Sequence, residues 1–124
     1  RRVLFRSVHF IAESAIAVMD VVNGAATGDV IDFNTADNGT STFTTAGVTW
    51  DTNVATTAAA AVAGAGNTNS IYKWFTNTTD SWVTIDKSSG SSFVDGTDAI
   101  IKIAGVTDLS GATFHEANQT LTFA

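Results

Sequence analysis

Hydrophobic side chains recur at roughly every second position along the C-terminal part of the chain. Four runs show the pattern, IYKWFTN, DSWVTID, TDAIIKIAGV and TLTFA, and each is bounded by clusters of Asn, Asp, Ser, Thr or Gly. Apolar residues at alternate positions bury one face of a β-strand. The pattern therefore predicts a unit of short β-strands over residues 71–124.

The first two runs predict a β-hairpin, because residues 71–77 and 80–86 are separated only by two threonines. The hairpin would offer four aromatic side chains for cross-strand contacts: Tyr72, Trp74, Phe75 and Trp82. An Asp-Gly turn then leads into a nearly continuous apolar strand, residues 99–106, and a last short strand is expected at residues 121–123.

The preceding part of the chain predicts further short strands. The second half of residues 8–22 is interpreted as a strand, although its Ala, Glu and Met content is also compatible with a helix. Two β-branched runs, residues 20–22 and 29–33, lie on either side of Asn23-Gly24 and Gly28. Since Asn-Gly tolerates positive φ, it predicts a tight turn between the two strands.

Residues 41–50 contain two more short runs, which are interrupted at Ala46-Gly47. From residue 52 the pattern changes to TNVATTAAAAVAGA, in which the alanines favour a helix and Gly64 and Gly66 provide a stop. The fold predicted is mainly β, with short antiparallel strands and hairpins arranged as a β-sandwich or a β-roll end cap. One short Ala-rich helix completes it.

The charges divide the chain at its seventh residue. All three arginines lie in the heptapeptide RRVLFRS, which resembles the translation of a sequencing adapter. We therefore interpret residues 1–7 as an artefact and the remainder as the downstream part of a longer protein.

Without residues 1–7 the chain has three lysines and twelve acidic residues, which changes its net charge from −6 to −9. An acidic chain of this kind predicts no nucleic-acid binding. No run is apolar for long enough to predict membrane insertion.

Catalytic chemistry has little support in the sequence. The chain of 124 residues has no cysteine and no proline, and its two histidines, His9 and His115, lie in no recognised catalytic motif. We therefore expect no enzymatic activity.

At this length the chain is expected to form one small domain with a modest core. We divide it into residues 8–50, an Ala-rich helix and linker at residues 51–70, and a β unit at residues 71–124.

The tail from IYKWF to GATF resembles the C-terminal region of bacterial RTX-type and S-layer-type repeat proteins exported by type I secretion. In that group an aromatic strand precedes a polar loop, and an element like D-x-x-(I/V)-K-(I/L)-x-G-(V/L)-x-D-L-S follows. The matching positions are Tyr72, Trp74, Asp98, Ile101, Lys102, Ile103, Gly105, Val106, Asp108, Leu109 and Ser110.

The upstream stretch MDVVNGAATGDVIDF is similar to the segment that closes the parallel β-roll of those proteins. It departs from them at Ala25, where they have phenylalanine, and the glycine-rich nonapeptide repeat occurs nowhere in the 124 residues. Residues 8–50 are accordingly expected to be the closing part of a β-roll-like region.

Calcium is the one candidate cofactor that the sequence suggests. A hard cation of this kind needs several converging oxygen ligands. Asp20, Asp29 and Asp32 surround a glycine-bearing turn and are the candidate ligands; the alternative is that they are solvated aspartates that cap turns. Asp95 and Asp98 around Gly96 are a weaker pair, since their spacing does not match an EF-hand loop.

Two functions are compatible with the sequence. The first is a non-catalytic secretion and assembly region of a large extracellular bacterial protein, whose partner is the type I export machinery. The second is a structural module of an S-layer or adhesin at the bacterial cell surface, which self-associates through strand edges.

Overall fold

The computed structural model describes residues 6–7, 15–33, 41–63 and 71–124. The predicted helix stop at Gly64 and Gly66 and the histidine His9 lie outside these residues. Within them the protein is mainly β, as predicted.

The described strands are short, and one α-helix lies among them. The strands are β1 Arg6–Ser7, β2 Asp20–Asn23, β3 Val30–Asp32, β4 Thr42–Phe43, β5 Ile71–Thr76, β6 Asp80–Asp86, β7 Ala99–Ala104, β8 Thr113–His115 and β9 Thr120–Thr122. Helix α1 spans Val54–Val62, and a 3₁₀ turn, Glu116–Asn118, joins β8 to β9. The short strand β8 was not predicted from the sequence.

The strands form two sheets, a five-stranded one in the order β2-β7-β6-β5-β4 and a four-stranded one in the order β1-β3-β9-β8. The predicted hairpin is confirmed, since β5 and β6 pair antiparallel, and β7 continues the antiparallel series beside β6. Three outer pairs are parallel, namely β1 with β3, β2 with β7 and β4 with β5. The antiparallel pattern therefore holds for the centre of the large sheet, and the edges depart from it.

The turn after β2 carries the chain from one sheet to the other. It is a turn between two strands, as the sequence predicts, and Gly24 and Gly28 have positive φ values of 69° and 86°. The strands that it joins do not pair, however, because β2 lies in the large sheet and β3 in the small one. The backbone N–H of Gly28 donates instead to the carbonyl of Phe123 over 2.8 Å, which ties the turn to the last strand.

One face of the large sheet packs on the small sheet. Alternate residues of β5, β6 and β7 form this inner layer with residues of β3 and β9: Tyr72, Trp74, Val83, Ile85, Ile101, Ile103, Ile31 and Leu121. The Tyr72 ring is fully buried, with ring centroids 4.9 Å from Phe33 and 4.7 Å from Phe114. Its hydroxyl donates to Gln119 Oε1 over 2.7 Å, which satisfies its polar end inside the core.

The opposite face of the large sheet is covered as well. Phe75 and Trp82 are cross-strand partners with centroids 5.5 Å apart, and Trp50 stacks on Trp82 at 5.3 Å. Ile100 and the helix residue Ala58 complete this outer cluster. Because both faces of the sheet are buried, β7 is apolar almost continuously rather than at alternate positions.

Helix α1 begins at an Asn cap and packs through small side chains. The Asn53 side-chain oxygen accepts a hydrogen bond from the Thr56 backbone N–H over 3.0 Å, which satisfies one of the free donors of the first turn. Ala58 and Ala61 are buried, and their small volume allows the helix to approach the sheet closely.

The loop before α1 lies against Trp74. The indole Nε1 donates to the Thr45 carbonyl over 3.1 Å, and Val48 N donates to the Trp74 carbonyl over 2.7 Å. A methyl group added at Gly47 would lie 3.1 Å from two carbons of the Trp74 ring, closer than ordinary van der Waals contact. The absence of a side chain at Gly47 therefore allows the loop to lie this close to the indole.

We expect Gly47→Ala to lower the free energy of unfolding by about 1 kcal/mol, because the added methyl group overpacks the indole. Urea unfolding followed by tryptophan fluorescence measures the change. Gly90→Ala is the matched control, since a methyl group there would meet its nearest atom only at 3.9 Å. Equal urea midpoints for the two variants would contradict the packing role of Gly47.

Candidate functional site

The structure places the three calcium candidates at separate points of the fold. Asp20 begins β2 in the large sheet, whereas Asp29 precedes β3 and Asp32 ends it in the small sheet. The Asp29 carboxylate accepts a hydrogen bond from the Ala26 backbone N–H over 2.9 Å and so caps its own turn. In the described part of the chain, no three His or acidic side chains are grouped so that they could hold a metal ion. Calcium binding by these aspartates stays a prediction.

The residues of the tail motif have identifiable structural roles. Ile101 and Ile103 are fully buried in the inner layer, and Leu109 is buried behind them. Gly105 has a positive φ of 77° at the end of β7. The Asp108 carboxylate accepts a hydrogen bond from Ser110 N over 2.8 Å. The Ser110 side chain, and after it this backbone N–H, lower the pKa of Asp108. The motif thus specifies the end of β7 and the turn that follows it.

Lys102, also in the motif, belongs to a charged cluster on the outer face. Its Nζ lies 2.9 Å from Asp80 Oδ2 and 5.7 Å from the centroid of the Trp82 ring. The hydrogen bond from Lys102, together with that from Gly105 N, lowers the pKa of the Asp80 carboxyl. The cluster joins the ends of β6 and β7 and shields the tryptophan beneath it.

An open groove of about 340 Å³ lies at the end of the sandwich where the chain terminates. Its walls are the turn at residues 25–27 and the loop at residues 105–109, with Ala112 and Phe123 between them. The Thr27 hydroxyl crosses one end of it to donate to the Ala124 carbonyl over 2.8 Å. The acidic group on its wall is Asp108, which is already engaged with Ser110.

Asp98 holds the loop that joins β6 to β7, a role that sequence analysis did not assign. The side chain is only 3% exposed, and its two carboxylate oxygens accept four hydrogen bonds. The donors are Lys87 N, Ser88 N, Ser88 Oγ and Val94 N, at 2.8, 2.8, 3.0 and 2.8 Å. One buried carboxylate thereby closes both ends of the loop, residues 87–98.

Asp86 lies beside Asp98 with a different environment. It is 2% exposed, and neither of its carboxylate oxygens has a hydrogen-bond partner among the described residues. Burial, followed by the negative charge of Asp98, raises the pKa of Asp86 to about 6. The Ser88 N–H, which already donates to Asp98, and the charge of Lys73 offset only part of this rise.

A signal for this pair was present in the sequence. Asp86 ends one apolar strand run, and Asp98 immediately precedes the next. In the antiparallel register Ile85 faces Ala99, so that one step further along the two aspartates come together. The register of two successive strands, rather than any local motif, would have identified them.

Comparisons with known proteins add no assignment. No model of a known protein family matches the chain, and a search of curated proteins finds no match either. Across the described residues, no helix has the length and apolar character required to cross a bilayer.

We expect Asp98→Asn to lower the free energy of unfolding by about 1–3 kcal/mol, because its amide group cannot accept all four hydrogen bonds from the loop. Relief of the repulsion with Asp86 offsets part of the loss. Urea unfolding at pH 7 measures the difference. Asp95→Asn removes the same charge from an exposed position in the same loop and serves as the control; similar unfolding of both variants would contradict the role of Asp98.

Proposed function

We propose that the chain is the non-catalytic C-terminal region of a large extracellular bacterial protein that is exported by type I secretion. The proposal is carried by the tail motif, in which the resemblance to exported repeat proteins coincides with the residues that build β5, β7 and the turn after β7. The motif is thus a folding signature of the C-terminal unit, and its residues serve packing and turn formation rather than proton transfer.

The chemistry of the chain suits passage through an export channel before folding. The absence of cysteine and proline means that neither disulfide formation nor prolyl isomerisation delays folding outside the cell. The chain has twelve acidic and six basic residues, and repulsion among the excess negative charges opposes compaction before export. Binding of calcium outside the cell, with Asp20, Asp29 and Asp32 as candidate ligands, would then favour the folded state.

Fusion of residues 8–124 to the C-terminus of a reporter enzyme tests the proposal in a bacterial host that carries a matched type I exporter. We expect the reporter in the medium, and we expect it to remain in the cytoplasm when the transport ATPase is inactivated. Retention of the reporter in the cytoplasm with an active exporter would contradict the proposal.

A pair of variants adds a second readout to the same experiment. We expect Gly47→Ala to destabilise the fold through Trp74 and Gly90→Ala to leave its stability unchanged. If the exporter accepts the chain before it folds, the Gly47→Ala fusion is exported at least as well as the Gly90→Ala fusion. Poorer export of Gly47→Ala would indicate that the exporter requires the folded unit.

A second function, a structural module of an S-layer or adhesin, is favoured by one observation. Among the described strands, β2 lies at one edge of the large sheet; Val21 within it is 45% exposed, and Val18 just before it is 64% exposed. An edge strand with exposed valines can pair with the same edge of a neighbouring copy. Both functions are compatible with one parent protein.

We expect Val21→Lys to abolish self-association, because charge on an edge strand opposes pairing. Sedimentation velocity over a concentration series, with calcium and with chelator, measures it. Val94→Lys is the control, since Val94 is 42% exposed but lies in the 87–98 loop. A protein that stays monomeric at every concentration, with calcium and without it, would exclude the assembly function.

A further inference from the structure

Two buried carboxyl groups lie side by side on the outer face of the large sheet. Along β6 and β7 the outer face is formed by the even-numbered residues, among them Trp82 and Ile100. Asp86 and Asp98 continue this alternation by one step and are 2% and 3% exposed. Like charges directly opposite each other on adjacent strands destabilise a sheet, and burial increases the penalty.

The hydrogen bonds divide the two groups into different roles. Asp98 accepts four hydrogen bonds from the loop, which stabilise its ionised form. Asp86 makes no hydrogen bond of good geometry with the described residues, and among their donors only the Ser88 N–H, which already donates to Asp98, acts to stabilise a negative charge on it. Protonation of Asp86 therefore stabilises the folded protein more than protonation of Asp98 would.

The positive charge of Lys73 is too weak at Asp86 to offset the negative charge of an ionised Asp86 carboxylate. Lys73 projects from the same face of β5 and favours the ionised form, but its effect is the smallest of those acting on Asp86. The Asp86 carboxyl also faces Ser88, whose N–H already donates to Asp98. A metal ion is disfavoured because four N–H and O–H donors already occupy the Asp98 oxygens.

We propose that Asp86 and Asp98 form a proton-binding pair, in which Asp98 accepts the hydrogen bonds of the loop and Asp86 takes up a proton on folding, so that closure of the 87–98 loop is tighter in mildly acidic than in neutral solution. The inference does not depend on the secretion function, since it rests on the contacts of the two aspartates alone.

The direction of the pH dependence follows from the raised pKa of Asp86, from 3.8 to about 6. Between these values the folded state binds more protons than the unfolded state, so stability falls as the pH rises from about 4 through about 6. Asp80 and Asp108, whose pKa values are lowered, act with the opposite sign and in more acidic solution. The Asp86 contribution is therefore separable by pH range.

Carboxyl ¹³C NMR of the wild-type protein in EDTA tests the proposal directly. We expect one buried aspartate to titrate with a midpoint near pH 6 and its signal to be absent from Asp86→Asn. In Asp98→Asn the midpoint of Asp86 should move towards 4. Protection of the Ser88 and Val94 amides against hydrogen exchange should be higher at pH 5 than at pH 7.5.

Urea unfolding supplies the thermodynamic readout. The unfolding equilibrium constant of the wild type and of Asp95→Asn should rise roughly tenfold to hundredfold between pH 4.5 and 7.5. In Asp86→Asn this rise should disappear.

Three results would overturn the proposal: no aspartate that titrates above pH 5, an Asp86→Asn variant with the wild-type pH dependence, or an Asp86 signal that responds to added Ca²⁺. The last result would make the pair a cation site. If Asp86→Asn does not fold, the wild-type titration together with that of Asp95→Asn decides the question.

Discussion

The pairing register of β6 between β5 and β7 is the constraint on which the rest of the structure depends. It aligns Phe75 with Trp82 on one face, and Trp74 with Val83 and Ile101 on the other. A shift of one residue would exchange the two faces of a strand. The inner sandwich core and the outer cluster beneath α1 would then be lost together, because each uses every second residue of the same three strands.

The same register decides the polar chemistry of the protein. It sets Lys102 beside Trp82 and within reach of Asp80, which produces a partly exposed ion pair at one end of the strands. At the other end it sets Asp86 beside Asp98, where both carboxyl groups are buried; Asp98 accepts four hydrogen bonds, and Asp86 has no hydrogen-bond partner within the part of the chain that the structure describes. Two pairs of charged groups on one sheet thus differ in character because they differ in exposure and in available donors.

The tail motif is best understood within this architecture. Its apolar positions are core residues of β7, its glycine occupies a positive-φ position, and its two aspartates close loops through backbone N–H groups. These residues determine how the unit folds. A secretion function of the region would therefore depend on whether the region folds before or after export. The acidic composition and the buried Asp86 both reduce the stability of the folded state at neutral pH.

The sequence by itself determined the mainly β class, the β5–β6 hairpin, the apolar β7 and the alanine helix, because alternation and propensity are local properties of the chain. It did not reveal that β2 and β3 lie in different sheets, that three edge pairs are parallel, or that Asp86 meets Asp98. These features depend on which strands become neighbours and in what register, and those choices follow from burial of the whole core. Only the tertiary structure could turn an ordinary strand-end aspartate into a buried acid beside a second carboxylate.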